Sequence, residues 1–100
     1  MATGEPRWHA EAALEAEETR DWYAQRSPFA ARGFLLELTD ALQAVVEAPD
    51  RWPRGRHNTR RYVFPHKYPF TLVYRLADDG QVEVVAVAHQ KRHPEYWVHR

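Results

Sequence analysis

Hydrophobic residues recur at helical spacing in one long segment of the first half of the chain. The apolar positions follow one another at steps of three and four residues: Phe34, Leu35, Leu38, Leu42, Val45 and Val46. This spacing places them on one face of an α-helix, where they can pack against a core. Ser27 suits the N-cap and Pro28 the first helical position. Pro49 disfavours helical geometry at Ala48, so we expect the helix to end near Glu47.

A weaker helical pattern precedes this segment. Residues 10–25 are rich in Ala and Glu, which favour helix formation, and carry a thin apolar stripe. The two helical segments meet at Ser27 and are expected to form an antiparallel hairpin. Residues 1–8 are polar, so we expect them to be frayed or to form only a weak first strand.

The second half of the chain has the alternating pattern of β-strands. Phe70–Leu76 alternates large apolar with other residues, and Gln81–His89 is a second long strand. Arg60–Phe64 is expected to be a shorter strand that ends before Pro65. The preceding segment, residues 49–59, contains two prolines and a glycine and is expected to be a loop.

The connection between the two long strands predicts their register. Asp78, Asp79 and Gly80 fit a three-residue hairpin loop, a type I turn with glycine in the left-handed position. Ala77 then pairs with Gln81, Leu76 with Val82, Arg75 with Glu83 and Tyr74 with Val84. Side-chain alternation puts one set of residues on the face that the helices should cover: Phe70, Leu72, Tyr74, Leu76, Val82, Val84, Ala86 and Ala88. The other face carries Thr71, Val73, Arg75, Glu83, Val85, Val87 and His89.

Two features of this second face can be interpreted from the sequence. Arg75 and Glu83 are expected to form a cross-strand ion pair. Val73, Val85 and Val87 form an apolar strip, which either a partner or the C-terminal segment folding back could cover. Together the elements predict an α+β fold over a single domain, residues 1–100. Its two-helix antiparallel hairpin packs on one face of a small, mainly antiparallel sheet.

The two halves of the chain carry opposite net charge. Residues 1–50 hold ten acidic residues against four arginines, and residues 51–100 hold four acidic residues against ten Lys and Arg. The halves therefore carry −6 and +6. This asymmetry suggests an anionic partner for the second half, although the halves could also neutralise each other in the fold.

The chain contains no cysteine, which excludes disulfides, thiolate zinc sites and cysteine nucleophiles. It has no apolar run of about 18 residues and no signal-peptide pattern, so we expect a cytoplasmic protein with no membrane association.

Candidate binding residues are basic and lie near the ends of the strands. We expect these residues to form a surface that contacts a target or partner and can hold phosphate or an acidic protein. They are Arg60, Arg61, Lys67, His89, Lys91 and Arg92. Tyr96 and Trp97 are too large to lie loose and are expected to anchor the tail. His89 and His93 have a helical spacing suited to a metal, but a strand end and Pro94 disfavour a helix there. We therefore expect no metal and no cofactor.

The sequence resembles the RelE/ParE family, the toxins of type II toxin–antitoxin pairs. The resemblance covers roughly residues 8–98 and lies in the order of its motifs: DWY followed by RSP, then PDRWP, YPFTLVYR and HQKRHPEYW. The chain departs from the family in three places. Its first helix offers Ala12, Ala16 and Thr19 where the family generally carries more large apolar residues. Residues 3–12, TGEPRWHAEA, are polar where the family opens with an apolar strand. His93 replaces the acidic residue common before the final proline.

The resemblance implies a choice between two activities. The ribonucleases of the family carry basic residues at positions that align here with Tyr62, Phe64 and Thr71, whereas Arg92 keeps the expected type. The resemblance therefore implies the ParE-like branch, whose members poison DNA gyrase and bind an antitoxin without hydrolysing a bond. The expected partners are an antitoxin that wraps the helical hairpin or sheet edge, and gyrase as the target.

Two further hypotheses stay open from the sequence. The chain could be a ribosome-dependent, metal-independent mRNA endoribonuclease in which Arg92 holds the phosphate and His89 transfers a proton. It could also be a degenerate member that binds its antitoxin and harms nothing. Either a homodimer or a hetero-oligomer with the antitoxin is compatible with the pattern.

Overall fold

Two helices are followed by three strands, and a short strand precedes them. A computed structural model describes residues 5–100, so residues 1–4 of the segment predicted to be frayed or weakly extended lie outside the described residues. The elements in chain order are β1 (Arg7–Trp8), α1 (Ala10–Ala24), α2 (Pro28–Glu47), β2 (Arg60–Val63), β3 (Phe70–Leu76) and β4 (Val82–His89). The predicted α+β fold, with helices packed on a small sheet, is confirmed.

Helix α2 begins and ends where its capping residues predict. Ser27 is extended, and its Oγ accepts a hydrogen bond from the Ala30 N–H at 3.3 Å. Pro28 occupies the first turn, and the helix ends at Glu47. The face that α2 buries carries Ala31, Phe34, Leu38, Ala41 and Val45. Helix α1 contributes less to the core because Ala12 is its one fully buried residue.

The sheet has the strand order β1-β4-β3-β2. β2 and β4 each run antiparallel to β3, whereas β1 runs parallel to β4. The polar N-terminal segment therefore does form a strand, of two residues. It is held because the His9 N–H donates to the Val84 carbonyl at 2.9 Å and the Trp8 side chain packs on the core.

The predicted hairpin register between β3 and β4 is confirmed near the turn. The Ala77 N–H donates to the Gln81 carbonyl at 2.9 Å, and Tyr74 pairs with Val84. Gly80 has φ +84°, the left-handed conformation that residues with a side chain rarely adopt. Arg75 and Glu83 form the expected pair, with Nε and Oε1 2.6 Å apart.

A β-bulge overturns the predicted faces farther along β4. Tyr74 pairs with Val84 but Val73 pairs with Ala86, so Val85 is an extra residue in β4. From Ala86 onward the alternation is shifted by one residue. Ala86 and Ala88 lie on the open face, not under the helices, and Val87 joins the helix-side core. His89 moves with Val87, and its ring packs edge-on against Phe70 with centroids 5.2 Å apart.

The C-terminal segment covers the open face of the sheet. Trp97 is buried against Val73, Val85 and Ala86, and Tyr96 packs beside them. Within residues 5–100, neither helix combines the length and apolar character that crossing a bilayer requires.

The bulge and the C-terminal segment are joined by a cluster of polar side chains, which we call the Glu15 clasp. Glu15 accepts hydrogen bonds from the Val87 N–H at 3.0 Å, the Tyr96 hydroxyl at 2.7 Å and the Arg100 guanidinium at 2.8 Å. Arg100 also donates to the Val85 carbonyl at 3.0 Å. These bonds satisfy backbone groups that the end of β1 and the bulge leave unpaired in the ladder.

A candidate arginine-lined binding groove

An open groove of about 670 Å³ lies on the face of the sheet opposite the helices. Its floor is formed by Thr71 and Val73 of β3 and by Ala88 of β4. One wall is the loop that precedes β2, and the other is the chain that follows β4. The basic side chains that line this arginine groove are Arg54, Arg56, Arg61 and Arg92.

The first wall is a miniature hairpin spanning residues 54–60. His57 and Asn58 both have left-handed backbones, with φ values of 59° and 58°. The Thr59 N–H donates to the Arg56 carbonyl at 3.3 Å, which completes a type I′ turn. Arg54 pairs with Arg60 beside the turn. Arg54 and Arg56 are thereby carried to the rim of the groove.

The second wall is built from turns after β4. The Arg92 N–H donates to the His89 carbonyl at 2.9 Å, and this turn directs the chain back over the sheet. The Arg92 guanidinium lies over the Tyr96 ring, 3.8 Å from its centroid. Because the Tyr96 hydroxyl is held by Glu15, its ring is a fixed support for Arg92.

The structure brings together only part of the predicted contact surface. Arg61 and Arg92 line the arginine groove, and His89 borders it although its ring packs against Phe70 on the helix side of the sheet. Alternation along β2 turns Arg60 to the other side, where its guanidinium donates to the carbonyls of Asp50 and Trp52 at 3.1 and 2.8 Å.

The two predicted lysines also lie apart from the groove. Lys67 lines a separate depression at the junction of the helices with Tyr23 and Phe29, and Lys91 is exposed in the turn after β4. Sequence reasoning missed Arg54 and Arg56, because it assigned their segment to an unstructured loop. The available signal was His57-Asn58, since Asn and His tolerate the left-handed conformation that a type I′ turn requires.

The arginines of the groove differ in how far they are neutralised. Arg56 donates to a Glu95 carboxylate oxygen at 3.2 Å. Among residues 5–100, no carboxylate lies within ion-pair distance of Arg54, Arg61 or Arg92. The groove therefore concentrates positive charge on a concave surface, an arrangement suited to holding an anionic group.

Comparison with known proteins identifies the family. The model of the ParE toxin of the type II toxin–antitoxin system parDE matches residues 7–94. The chain is also 34% identical over 85 residues to Toxin RelE2 of Caulobacter vibrioides, covering 85% of this chain and 91% of that protein. The chain belongs to the RelE/ParE family of type II toxins. Such a toxin has a cognate antitoxin as its partner.

The groove of this RelE/ParE toxin offers few groups that are free to act as a general base. A hydrogen bond from His57, at 2.8 Å, and the nearby Arg56 hold the pKa of Glu95 below its usual range, so this carboxylate is ionised at neutral pH. The His89 Nδ1 accepts the Lys91 N–H at 3.0 Å. This hydrogen bond engages the Nδ1 lone pair and leaves Nε2 as the N–H nitrogen of the neutral ring, so neither nitrogen is a free base.

The other two candidates for proton transfer, His93 and Tyr96, also have hydrogen-bond partners within the protein. The His93 Nδ1 accepts the Glu95 N–H at 3.2 Å. Burial and the hydrogen bond to Glu15 raise the pKa of Tyr96, whose hydroxyl lies in the Glu15 clasp. In the part of the chain that the structure describes, no group of three or more His, Asp or Glu side chains could hold a metal ion.

Proposed function

We propose that this toxin inhibits an essential target, DNA gyrase, by binding it through the arginine groove, without cutting a bond. The observation that carries the proposal is the pairing of two properties in one groove. Three of its arginines lack a carboxylate partner among the described residues, while its histidines and its glutamate are engaged in hydrogen bonds. Such a groove can capture an anionic surface more readily than it can exchange protons.

The antitoxin would bind elsewhere on the toxin, at the outer face of the helical hairpin. Phe29 and Leu36 lie seven residues apart on one face of α2, with 78% and 62% of their surfaces exposed. An amphipathic segment of the antitoxin that covers these side chains would bury apolar surface. The resulting toxin–antitoxin hetero-oligomer would form in the cytoplasm, where gyrase acts.

A second function, a ribosome-dependent mRNA endoribonuclease, is supported by the placement of Arg61 and Arg92. These two guanidinium groups line the same groove and could hold a phosphodiester between them. This alternative lacks a general base, because the ring of His89 packs against Phe70 and its Nδ1 is occupied. We therefore favour inhibition by binding.

Induced expression in bacterial cells separates the two functions. We expect growth arrest with altered plasmid supercoiling or broken DNA, and with intact mRNA. Replacing both Arg61 and Arg92 by Ala should abolish the arrest, because it removes two of the three unpaired charges. The matched control is Arg20→Ala, which removes an exposed arginine of α1 paired with Asp21. It should leave the toxicity unchanged.

Other outcomes would assign a different function. Cleavage of translated mRNA with normal supercoiling would establish the ribonuclease instead. Unimpaired growth, with the protein present and folded, would identify a degenerate member. Arrest that survives the double substitution would contradict the role of the groove.

A further inference from the structure

One carboxylate connects the two walls of the arginine groove. Glu95 stands on the C-terminal wall, and its two oxygens face the miniature hairpin of residues 54–60. Oε1 lies 2.8 Å from His57 Nε2, and Oε2 accepts from Arg56 Nη1 at 3.2 Å. It is the single carboxylate among the described residues that line the groove.

Three features hold this bridge in position. The Glu95 N–H donates to His93 Nδ1, which fixes the backbone of the glutamate. The His57 ring packs edge-on against Trp97 with centroids 6.1 Å apart. His57 and Asn58 form the type I′ turn of the miniature hairpin, and this turn sets the position from which His57 reaches Glu95 and Trp97.

The chemistry of the bridge is that of a bound anion. A carboxylate oxygen on a guanidinium and a second oxygen on an imidazole N–H are the contacts that a phosphate or an acidic side chain of a ligand would make. Glu95 thus engages Arg56, a donor that lines the groove, together with the neighbouring His57. Arg54, Arg61 and Arg92 have no such internal substitute among the described residues.

We propose that Glu95 determines the specificity of the groove. Its carboxylate binds Arg56 and His57 in the way that the anionic group of a ligand would bind them. This inference rests on the proposed function, since it assumes that the groove binds anions. A ligand must compete with this carboxylate for the charge of Arg56, so weakly charged ligands bind mainly through the three unpaired arginines. A ligand with a high density of negative charge gains the fourth arginine.

Titration of the purified toxin with inorganic tripolyphosphate at low ionic strength tests the proposal. Glu95→Gln should tighten binding about three- to fivefold more than Glu47→Gln, because it frees Arg56 from an exposed ion pair. Glu47 is exposed at the end of α2 and is the matched control for the change of one charge. Thermal melting of each variant checks that the fold is intact.

The second measurement is the coupling between Arg56 and Glu95. Arg56→Ala should change tripolyphosphate affinity less than twofold in the wild-type protein. In the Glu95→Gln background the same substitution should weaken affinity at least threefold, because only there is Arg56 available to the ligand. A general effect of net charge would make the two changes equal.

The outcomes separate this inference from the proposed function. If Glu95→Gln acts no more strongly than Glu47→Gln, or if Arg56→Ala has equal effects in both backgrounds, the role of Glu95 is refuted. The groove would still be an anion site provided that the joint replacement of Arg61 and Arg92 by Ala abolishes binding. Failure of the wild-type and Glu95→Gln proteins alike to bind tripolyphosphate would refute both proposals.

Discussion

Gly33 lies where helix α2 passes closest to the ring of Tyr68. A Cβ atom at this position would overlap the Tyr68 hydroxyl and come within 3.2 Å of the ring carbon that bears it. The ring has little freedom to move, because it is buried and its hydroxyl donates to the Ala30 carbonyl at 2.7 Å. The absence of a side chain at Gly33 therefore permits this contact between helix and loop.

Replacing Gly33 by Ala should lower the free energy of unfolding by about 1–3 kcal/mol, because overpacking outweighs the gain in helix propensity of about 1 kcal/mol. Urea denaturation measures the change. Tyr68→Phe is the informative background, since it removes the overlapping oxygen. In that background Gly33→Ala should cost at least about 1 kcal/mol less. An equal cost in both backgrounds would contradict the proposed clash.

At the scale of elements, the bulge in β4 and the Glu15 clasp form one structural unit. The bulge turns Val85 and Ala86 together toward the open face, where Trp97 packs on them. Glu15 of α1 and Arg100 of the tail then bind the backbone at Val87 and Val85. The helix, the strand and the tail are thus joined by one ion pair, and the tail supports the second wall of the arginine groove.

Glu15→Ala and Arg100→Ala should each destabilise the fold by about 3 kcal/mol, because each leaves a largely buried charge without its ion-pair partner and a backbone group without its hydrogen bond. The side chains of Glu15 and Arg100 are only 16% and 15% exposed. The double variant should be less destabilised than the sum of the two, with a coupling of about 1–2 kcal/mol. Chemical denaturation measures all three. Glu18→Ala, an exposed position of α1, should change stability by less than about 0.5 kcal/mol.

At the scale of the whole molecule, ion pairs between the two halves of the chain neutralise only some of their charges. The acidic first half and the basic second half are joined by ion pairs such as Glu15–Arg100 and Asp50–Arg60. The groove keeps three arginines without a carboxylate partner among residues 5–100. The net charge of zero therefore conceals a local excess of positive charge, on the surface that we propose contacts the target.

Alkaline pH should destabilise the whole fold through two phenols, that of the buried Tyr74 and that of the half-buried Tyr96. Burial raises the pKa of Tyr74 to about 12, with its hydroxyl bonded to the Pro49 carbonyl at 2.6 Å, and burial also raises the pKa of Tyr96. Unfolded phenols lose their protons near pH 10, so the unfolded state is favoured as pH rises from about 10 to 12. Each phenol should lower the unfolding free energy by up to about 1.4 kcal/mol per pH unit.

Urea denaturation at a series of pH values measures this slope. Tyr74→Phe is less stable at neutral pH because the Pro49 carbonyl loses its donor, but its stability should fall less steeply above pH 10. Equal slopes for the variant and the wild-type protein would show that Tyr74 does not carry the effect.

Much of this architecture was predictable because local forces specify it. The spacing of apolar residues predicted α2, Ser27 and Pro28 predicted its start, and Gly80 predicted the turn that aligns β3 with β4. These features depend on neighbouring residues, whose steric and hydrogen-bonding preferences are the same in most folds. Family membership was likewise visible in the order of the motifs.

The candidate groove was less predictable because it is assembled from distant segments. Arg61 and Arg92 were expected to contact a partner and do line the groove. Arg60 was expected beside them, but the alternation of β2 directs it to carbonyl groups on the other face. Arg54 and Arg56 became part of the groove through a turn that the sequence alone did not reveal.

The sequence by itself determined the helices, the β3–β4 turn and the family, since each depends on contacts within a few residues or on motif order. Tertiary structure decided the parallel pairing of β1, the bulge at Val85 and the shape of the groove. The physical reason is that these features satisfy backbone and side-chain groups far apart in the chain. The Val87 N–H finds Glu15, seventy-two positions earlier, and Glu95 finds His57, thirty-eight positions earlier. Such pairings exist only after the chain has folded.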